Sequence, residues 1–322
     1  MNFKLKTILL ISAMFLGIST YSQNIKKVTG VTDTNIKKVS SISDTNIKKV
    51  NGVTFGTTLL LDTYTGASVA YSVRKLRTAY AGYCMKVRRT SDNTEQDIGF
   101  TANGDLDTSA IKTFCSTSSG YVRTWYDQSG NAINATTTEN SQRICNAGVI
   151  CRASNGIPAV QYISGEPLAF VTTANLIVGS SQHYSIGVFA DDLEGQFFDV
   201  VDISNNIVAS AYCSSGGSFG SFNNYAVGDN IDNSISDPGV TIFEINYANS
   251  STVESYVNNA RNSIYNLTGT YSPGTDVVAS YVGTAYGINH SYPCANLQEI
   301  IIYPSNQSSN RSSIYTNVNT YF

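Results

Sequence analysis

From Leu59 onward the chain is a succession of short apolar or alternating stretches, each interrupted by Asn, Gly, Ser or Asp. Residues 85–88, 120–126, 159–162, 184–189, 197–203, 240–247, 277–282 and 297–303 have this form. Such stretches suit β-strands, and the residues between them suit turns. Two segments predict helices instead. Residues 67–79 follow Thr65-Gly66 and carry Val69, Val73 and Leu76 at helical spacing, and residues 308–320 lead through Ile314 and Val318 to Phe322. Many short strands with one or two short helices predict an all-β fold, an antiparallel two-sheet sandwich. The 21 Tyr and 25 Gly, with only 13% charged residues, fit strands and turns better than helices.

The first 54 residues differ from the rest. Residues 1–22 hold Lys4 and Lys6, an apolar run from Ile8 to Gly17 and a small polar stretch, the layout of a secretory signal peptide. Residues 23–54 carry Asn24-Ile-Lys-Lys-Val28, Asn35-Ile-Lys-Lys-Val39 and Asn46-Ile-Lys-Lys-Val50, a motif with a period of 11. That period can specify a right-handed coiled coil. The abundant Thr, Val, Ser and Gly are poor helix formers, so an extended or short-stranded stalk is expected, or a solvated linker. A stalk of this kind leaves an apolar side that self-association can cover. Residues 55–322 are expected to form one β-sandwich domain.

Charge divides at the same place. Eight of the 20 basic residues but only two of the 23 acidic ones precede Phe55, so the remainder holds 12 against 21, a net of −9. An acidic body disfavours nucleic acid and suits neutral partners such as glycans. Export agrees with the six cysteines, Cys84, Cys115, Cys145, Cys151, Cys213 and Cys294, which form no CxxC or Cys/His cluster for zinc. The sequence does not choose among their pairings. Cys145 and Cys151 could close a local loop, or the thiols could remain buried as small hydrophobes. The chain is expected to be secreted or displayed at the cell surface.

One set of motifs is specific. Leu61-Asp-Thr-Tyr-Thr-Gly leads to Val87-Arg-Arg-Thr-Ser-Asp92, then to Gly104-Asp-Leu-Asp-Thr108, Phe114-Cys115 and Trp125-Tyr-Asp-Gln-Ser-Gly-Asn131. Over about 75 residues their order and spacing resemble the N-terminal half of the α-L-arabinofuranosidase B catalytic domain. The closing Gln298-Glu-Ile-Ile-Ile-Tyr303 and the helix after it resemble the end of a concanavalin-like, laminin-G-like jelly roll. The resemblance implies that sandwich, with a glycan site on its concave sheet. It also implies that Trp125, Tyr126, Asp127, Gln128, Asn131, Arg88, Arg89 and Asp92 are motif residues, which are expected to be structural. Arg88 and Arg89 point to opposite faces of a strand, one of them a partner for Asp92 or Asp97. Asp127 and Asn131 could ligate Ca²⁺ through oxygen, or hold turns by side-chain to backbone bonds. No other cofactor is expected.

The resemblance implies retaining cleavage of arabinofuranosyl groups by a Glu nucleophile and an Asp acid, which needs two carboxyl groups flanking the bond. Here the sequence departs. The nucleophile strand falls near Ile207-Val-Ala-Ser-Ala-Tyr212 and the acid's loop near Gly283-Thr-Ala-Tyr-Gly-Ile-Asn-His290, and neither contains a carboxylate. Gln196-Phe197 stand where the family has vicinal cysteines, and Gly120 stands near the place of the second cysteine of its short loop. Glu299 matches a strand Glu that is not the nucleophile. Asp199, Asp202 and Glu244 are the substitute catalytic candidates. Tyr212, Tyr225 and Tyr286, with Asp199, are the glycan-binding candidates, because Tyr offers stacking area and a hydroxyl. No HExxH, P-loop or GxSxG accompanies them. The expectation is a non-catalytic carbohydrate-recognition or adhesion module. The alternatives are an α-L-arabinofuranosidase-type hydrolase and a structural subunit of a surface or virion appendage.

Overall fold

A computed structural model describes residues 27–28, 31–32, 38–39, 42–43, 49–50, 53–54, 59–138, 140–163, 170–172, 183–190, 195–202, 207–214, 218–222, 240–249, 252–266, 277–282 and 296–322. The expected signal peptide, Tyr225, Tyr286 and the 283–290 loop lie outside the described residues. The chain divides into two compact units, Met1–Leu59 and Leu60–Phe322.

In the first unit each repeat holds one antiparallel pair. β1 (Lys27–Val28) pairs with β2 (Val31–Thr32), β3 (Lys38–Val39) with β4 (Ile42–Ser43), and β5 (Lys49–Val50) with β6 (Val53–Thr54). Two residues separate the inner partners in every copy: Val28 pairs with Val31, Val39 with Ile42, and Val50 with Val53. The β-branched residues that disfavour a coiled coil are those that pair as strands.

The second unit is mostly β, and among its described residues 18 strands form one hydrogen-bonded sheet system, antiparallel throughout. One layer runs in the order β9 (Glu95–Ile98), β8 (Met85–Arg89), β10 (Gly120–Trp125), β11 (Ala135–Thr136), β15 (Phe170–Thr172), β23 (Val277–Val282), β17 (Gly195–Asp202), β18 (Ile207–Ser214), β19 (Ser218–Phe222). The other centres on β24 (Asn296–Tyr303). One edge of β24 takes β7 (Val69–Ser72) and β14 (Val160–Tyr162). Its other edge takes β16 (His183–Ala190), followed by β20 (Val240–Asn249), β21 (Thr252–Val257) and β22 (Ala260–Asn266). β12 (Gln142–Asn146) pairs with both β10 and β14 and so joins the layers; β13 (Val149–Ile150) forms a hairpin with it.

The core between the layers contains Val69, Tyr71, Met85, Val87, Val122, Trp125, Phe243, Ile245, Ile300 and Ile302. A second core lies on the opposite face of β24. There Ala70, Tyr184, Ile186, Ile301 and Tyr303 meet Leu60 and Leu61 of α1 (Leu60–Thr63) and Ile314 and Val318 of α3 (Arg311–Tyr321). β24 is therefore buried at every position, which suits the apolar run Ile300-Ile-Ile-Tyr303 that closes it.

The expected β-sandwich and eight of its strands are present, and the C-terminal helix starts three residues later than its sequence suggests. The helix expected over residues 67–79 is absent: β7 and a loop occupy the segment. All four residues of β7 are buried because both of its faces are covered, so its apolar pattern does not alternate. α2 (Thr108–Cys115) was not anticipated. Asp107 caps it by accepting the Ala110 N–H at 2.9 Å, and Ile111, Phe114 and Cys115 form its buried face. The Cys145–Cys151 loop is also absent: Cys84, Cys115, Cys145 and Cys151 are free, buried thiols. Register explains this, since Ile150 is the residue opposite Cys145.

Candidate functional site

The motif after Trp125 clamps the two layers together. The Asp127 carboxylate is buried and accepts four hydrogen bonds. Oδ1 takes the N–H of Ala70 at 2.9 Å and of Ser129 at 2.8 Å. Oδ2 takes the Ser129 hydroxyl at 2.6 Å and the Ile133 N–H at 3.2 Å. Gln128 accepts the Leu76 N–H at 2.8 Å and donates to the carbonyls of Ser72 and Arg74. Asn131 Nδ2 donates to the carbonyls of Ala67 and Ser68. Three side chains from one loop thus satisfy the backbone of residues 67–76. Gly130 sits at φ +103°, where a Cβ would lie 2.3 Å from Arg77 Nη1, so the turn requires glycine.

Trp125 is fully buried against Tyr71, with ring centroids 6.1 Å apart. Tyr126 donates its hydroxyl to Asp97 at 2.6 Å. Arg89 grips Asp92 with two bonds, at 2.9 and 2.6 Å, and donates to the Phe114 carbonyl while covering that ring. The Arg89 and Thr94 hydrogen bonds hold the Asp92 carboxyl well below the usual carboxylate range. Arg88 bonds Asn93 and Asn140.

Of the three catalytic candidates, Glu244 stands apart. It lies in β20, wholly buried, and pairs with Ile186 on the face that α3 covers. Tyr184 donates its hydroxyl to Oε2 at 2.6 Å, and Arg311 Nη1 meets Oε1 at 2.8 Å. Burial raises the Glu244 pKa, and the Tyr184 and Arg311 bonds oppose the rise. Sequence reasoning did not find Arg311 or Tyr184 as its partners, because each lies about 60 residues or more away.

Asp199 and Asp202 lie in β17 of the other layer. Asp199 is directly opposite Ser210 on one side and Tyr281 on the other, and Asp202 is opposite Val277. Tyr212 is opposite Gln196 and Gly220. The row through Asp199 continues from Tyr281 to Val171, Thr136, Thr124, Lys86 and Asp97. Thr136 is exposed, and Thr124, Lys86 and Asp97 are half-buried. The adjacent row, Ala135, Trp125, Met85 and Ile98, is fully buried. Where its side chains are described, the row in register with Asp199 is therefore the one turned away from the core. Tyr83, half exposed, stands 6.3 Å from Tyr126 beside the Asp97 end of that row.

Residues 61–191 match the family model described as α-L-arabinofuranosidase B, catalytic. The body has an arabinofuranosidase B catalytic-domain-like fold. A GH54 α-L-arabinofuranosidase soaked with a cyclic sulfate inhibitor superimposes with a TM-score of 0.58 at 17% identity, over 80% of this chain and 64% of that one. An arabinofuranosidase complexed with arabinofuranosyl-α-1,2-xylobiose gives 0.56 at 18% identity, with the same coverage of both chains. This chain thus spans 64% of the length of these solved proteins, and at such identities the likeness establishes the fold. No curated protein matches the chain. Among the described residues no helix is long and apolar enough to cross a membrane.

Proposed function

We propose that the protein is an exported carbohydrate-recognition module, built on an arabinofuranosidase-like jelly roll that lacks the hydrolytic acid pair. The observation that carries this reading is the commitment of Glu244, whose two oxygens are held by Tyr184 and Arg311 inside the second core. That leaves Asp199 and Asp202 among the candidates. With three strand steps between them they stand about 10 Å apart along β17. Retaining hydrolysis needs carboxyl groups about 5 Å apart. Residues 207–212 and 283–290 add no carboxylate.

Binding does not need an acid pair. Stacking and neutral hydrogen bonds suffice for sugars. The ligand is an arabinose-containing or related neutral glycan, held on the outer face of the layer that contains β17. Tyr212, Tyr225, Tyr286 and Asp199 form the contact set. The solved arabinofuranosidase complexed with arabinofuranosyl-α-1,2-xylobiose supports this ligand class. The N-terminal repeats hold the domain at a cell surface, alone or against copies of themselves.

A glycan array run beside a chromogenic arabinofuranoside assay tests the reading. Weak binding is expected, with Kd from about millimolar to micromolar, or roughly −4 to −8 kcal/mol. Tyr225→Ala and Tyr286→Ala should weaken it without unfolding the domain, and no turnover is expected. Turnover abolished by Asp199→Asn or Asp202→Asn would establish the enzyme instead.

A further inference from the structure

β10 opens on a glycine that has a neighbour in place of a side chain. Gly120 is directly opposite Cys145 of β12, in register across the ladder. A Cβ on Gly120 would lie 2.6 Å from Cys115 Sγ and 3.5 Å from Cys145 Cβ. The Cys115 thiol, arriving from the C-terminus of α2, therefore fills the space beside Cys145 that a side chain at 120 would take. Both cysteines are essentially inaccessible to solvent, at 1% and 0% exposure. The Cys145 side chain is within hydrogen-bonding reach of the Cys115 thiol, and Cys145 Sγ also faces the Ser118 carbonyl.

We propose that Cys115 and Cys145 form a disulfide in the exported protein, a staple between the end of α2 and β12 for which Gly120 makes room. The proposal rests on export for its oxidising compartment. The chemistry is thiol–disulfide exchange with a small disulfide such as oxidised glutathione. The Cys115 thiolate attacks one of its sulfurs, forming a mixed disulfide and releasing one glutathione thiolate. The Cys145 thiolate then attacks the Cys115 sulfur and releases the second. The two cysteines lose two protons and two electrons, and the oxidant leaves as two thiols. Burial, reinforced by the facing Cys145, raises the Cys115 pKa, so the folded thiol is a poor nucleophile and the bond forms as the corner closes during folding. The bridge closes a loop of about 30 residues, which places it among stabilising disulfides.

The test is refolding of the full chain in a reduced and oxidised glutathione buffer. Alkylation of the remaining thiols and peptide mapping without reductant then follow. A Cys115–Cys145 linked peptide is expected, absent in Cys115→Ser and Cys145→Ser and retained in Cys151→Ser. Gly120→Ala should lower its yield several-fold. Reductant should lower the melting temperature by about 10 °C in the native chain and leave Cys115→Ser unmoved. A Cys145–Cys151 linkage, or Cys115 and Cys145 both alkylated after refolding, would overturn the proposal. Fractionation of cells tests export separately: bond formation in glutathione with a cytosolic chain would refute export and keep the pairing.

Discussion

Arg74 and Glu299, 225 residues apart in sequence, form a two-pronged ion pair inside the protein. Arg74 Nε meets Oε2 at 2.8 Å, and Nη2 meets Oε1 at 2.9 Å. The Ser72 hydroxyl adds a third bond to the carboxylate at 2.6 Å, and Arg74 Nη1 reaches Asn317 of α3. The rings of Tyr321 and Phe322 lie against the guanidinium. The pair thus ties β7 and β24 to the C-terminal helix. It also gives Glu299, the strand Glu of the family pattern, a structural role.

Removing one partner strands the other in a buried site. Glu299→Ala is expected to destabilise the body by about 3–5 kcal/mol, because an unpaired guanidinium remains in the interior. The double variant Arg74→Met with Glu299→Leu should recover most of the loss. Urea titrations followed by fluorescence of the single Trp125 read both. Equal losses in the single and double variants would contradict the pairing argument.

The Asp127 clamp makes a second expectation. Asp127→Ala leaves the buried Ala70 N–H and its neighbours without their acceptor, a loss of about 2–4 kcal/mol. Both Asp127 oxygens are engaged by N–H and O–H donors, and Asn131 turns its amide nitrogen to carbonyls. The clamp is complete without a cation, so EDTA or added Ca²⁺ should move the melting temperature by less than about 1 °C. A Ca²⁺-dependent rise lost in Asp127→Ala would restore these residues as a metal site.

The sequence disclosed strands where one face is solvated or the apolar run is long. Residues 120–126 and 297–303 are examples, and β10 and β24 fill those places. It misled over residues 67–79, because Val69, Val73 and Leu76 match a helix by spacing while β7 is buried on both faces. α2 did carry a signal: Asp107 before Thr108, then Ile111, Phe114 and Cys115 on one face. The motif Asp127-Gln-Ser-Gly-Asn131 was recognisable as a string, but its partners at 67–76 were not, since about 50 to 65 residues separate them. The alignment of Asp199 with Tyr281 is likewise a matter of register, which no local pattern encodes.

Acid should loosen the β8–β9 hairpin through Asp92. Its folded pKa lies below the unfolded value because Arg89 and Thr94 bond the ionised form. The stabilisation is therefore present above pH 4, about the ordinary Asp value, and is lost as pH falls through the lower folded value. Asp92→Asn should flatten the acid limb of the stability curve below about pH 4 by lowering the neutral plateau toward the acid value, a small loss because both partners are partly solvated. An unchanged acid limb would show that the bonds do not persist in solution.

Glu244 should behave in the opposite sense. Burial raises its folded pKa above the ordinary carboxylate value, against the pull of Tyr184 and Arg311. The folded state therefore holds this proton more tightly than the unfolded state. The stability that the held proton contributes is complete below the unfolded pKa and is lost as pH rises through the folded one. Glu244→Gln preserves the shape and an acceptor for Tyr184 while removing the titration. It should lack that decline above about pH 4.5. The exchange also weakens the Arg311 bond, so an overall offset of about 1–2 kcal/mol is expected beneath the altered slope. Glycan binding should not change, because Glu244 lies in β20 beneath α3 rather than in the row of Asp199. Parallel pH–urea surfaces for the native chain and Glu244→Gln, with glycan titrations at pH 7, measure both. A parallel shift with no change of slope would remove the titration argument. A loss of binding in a folded Glu244→Gln chain would move the site to the opposite layer.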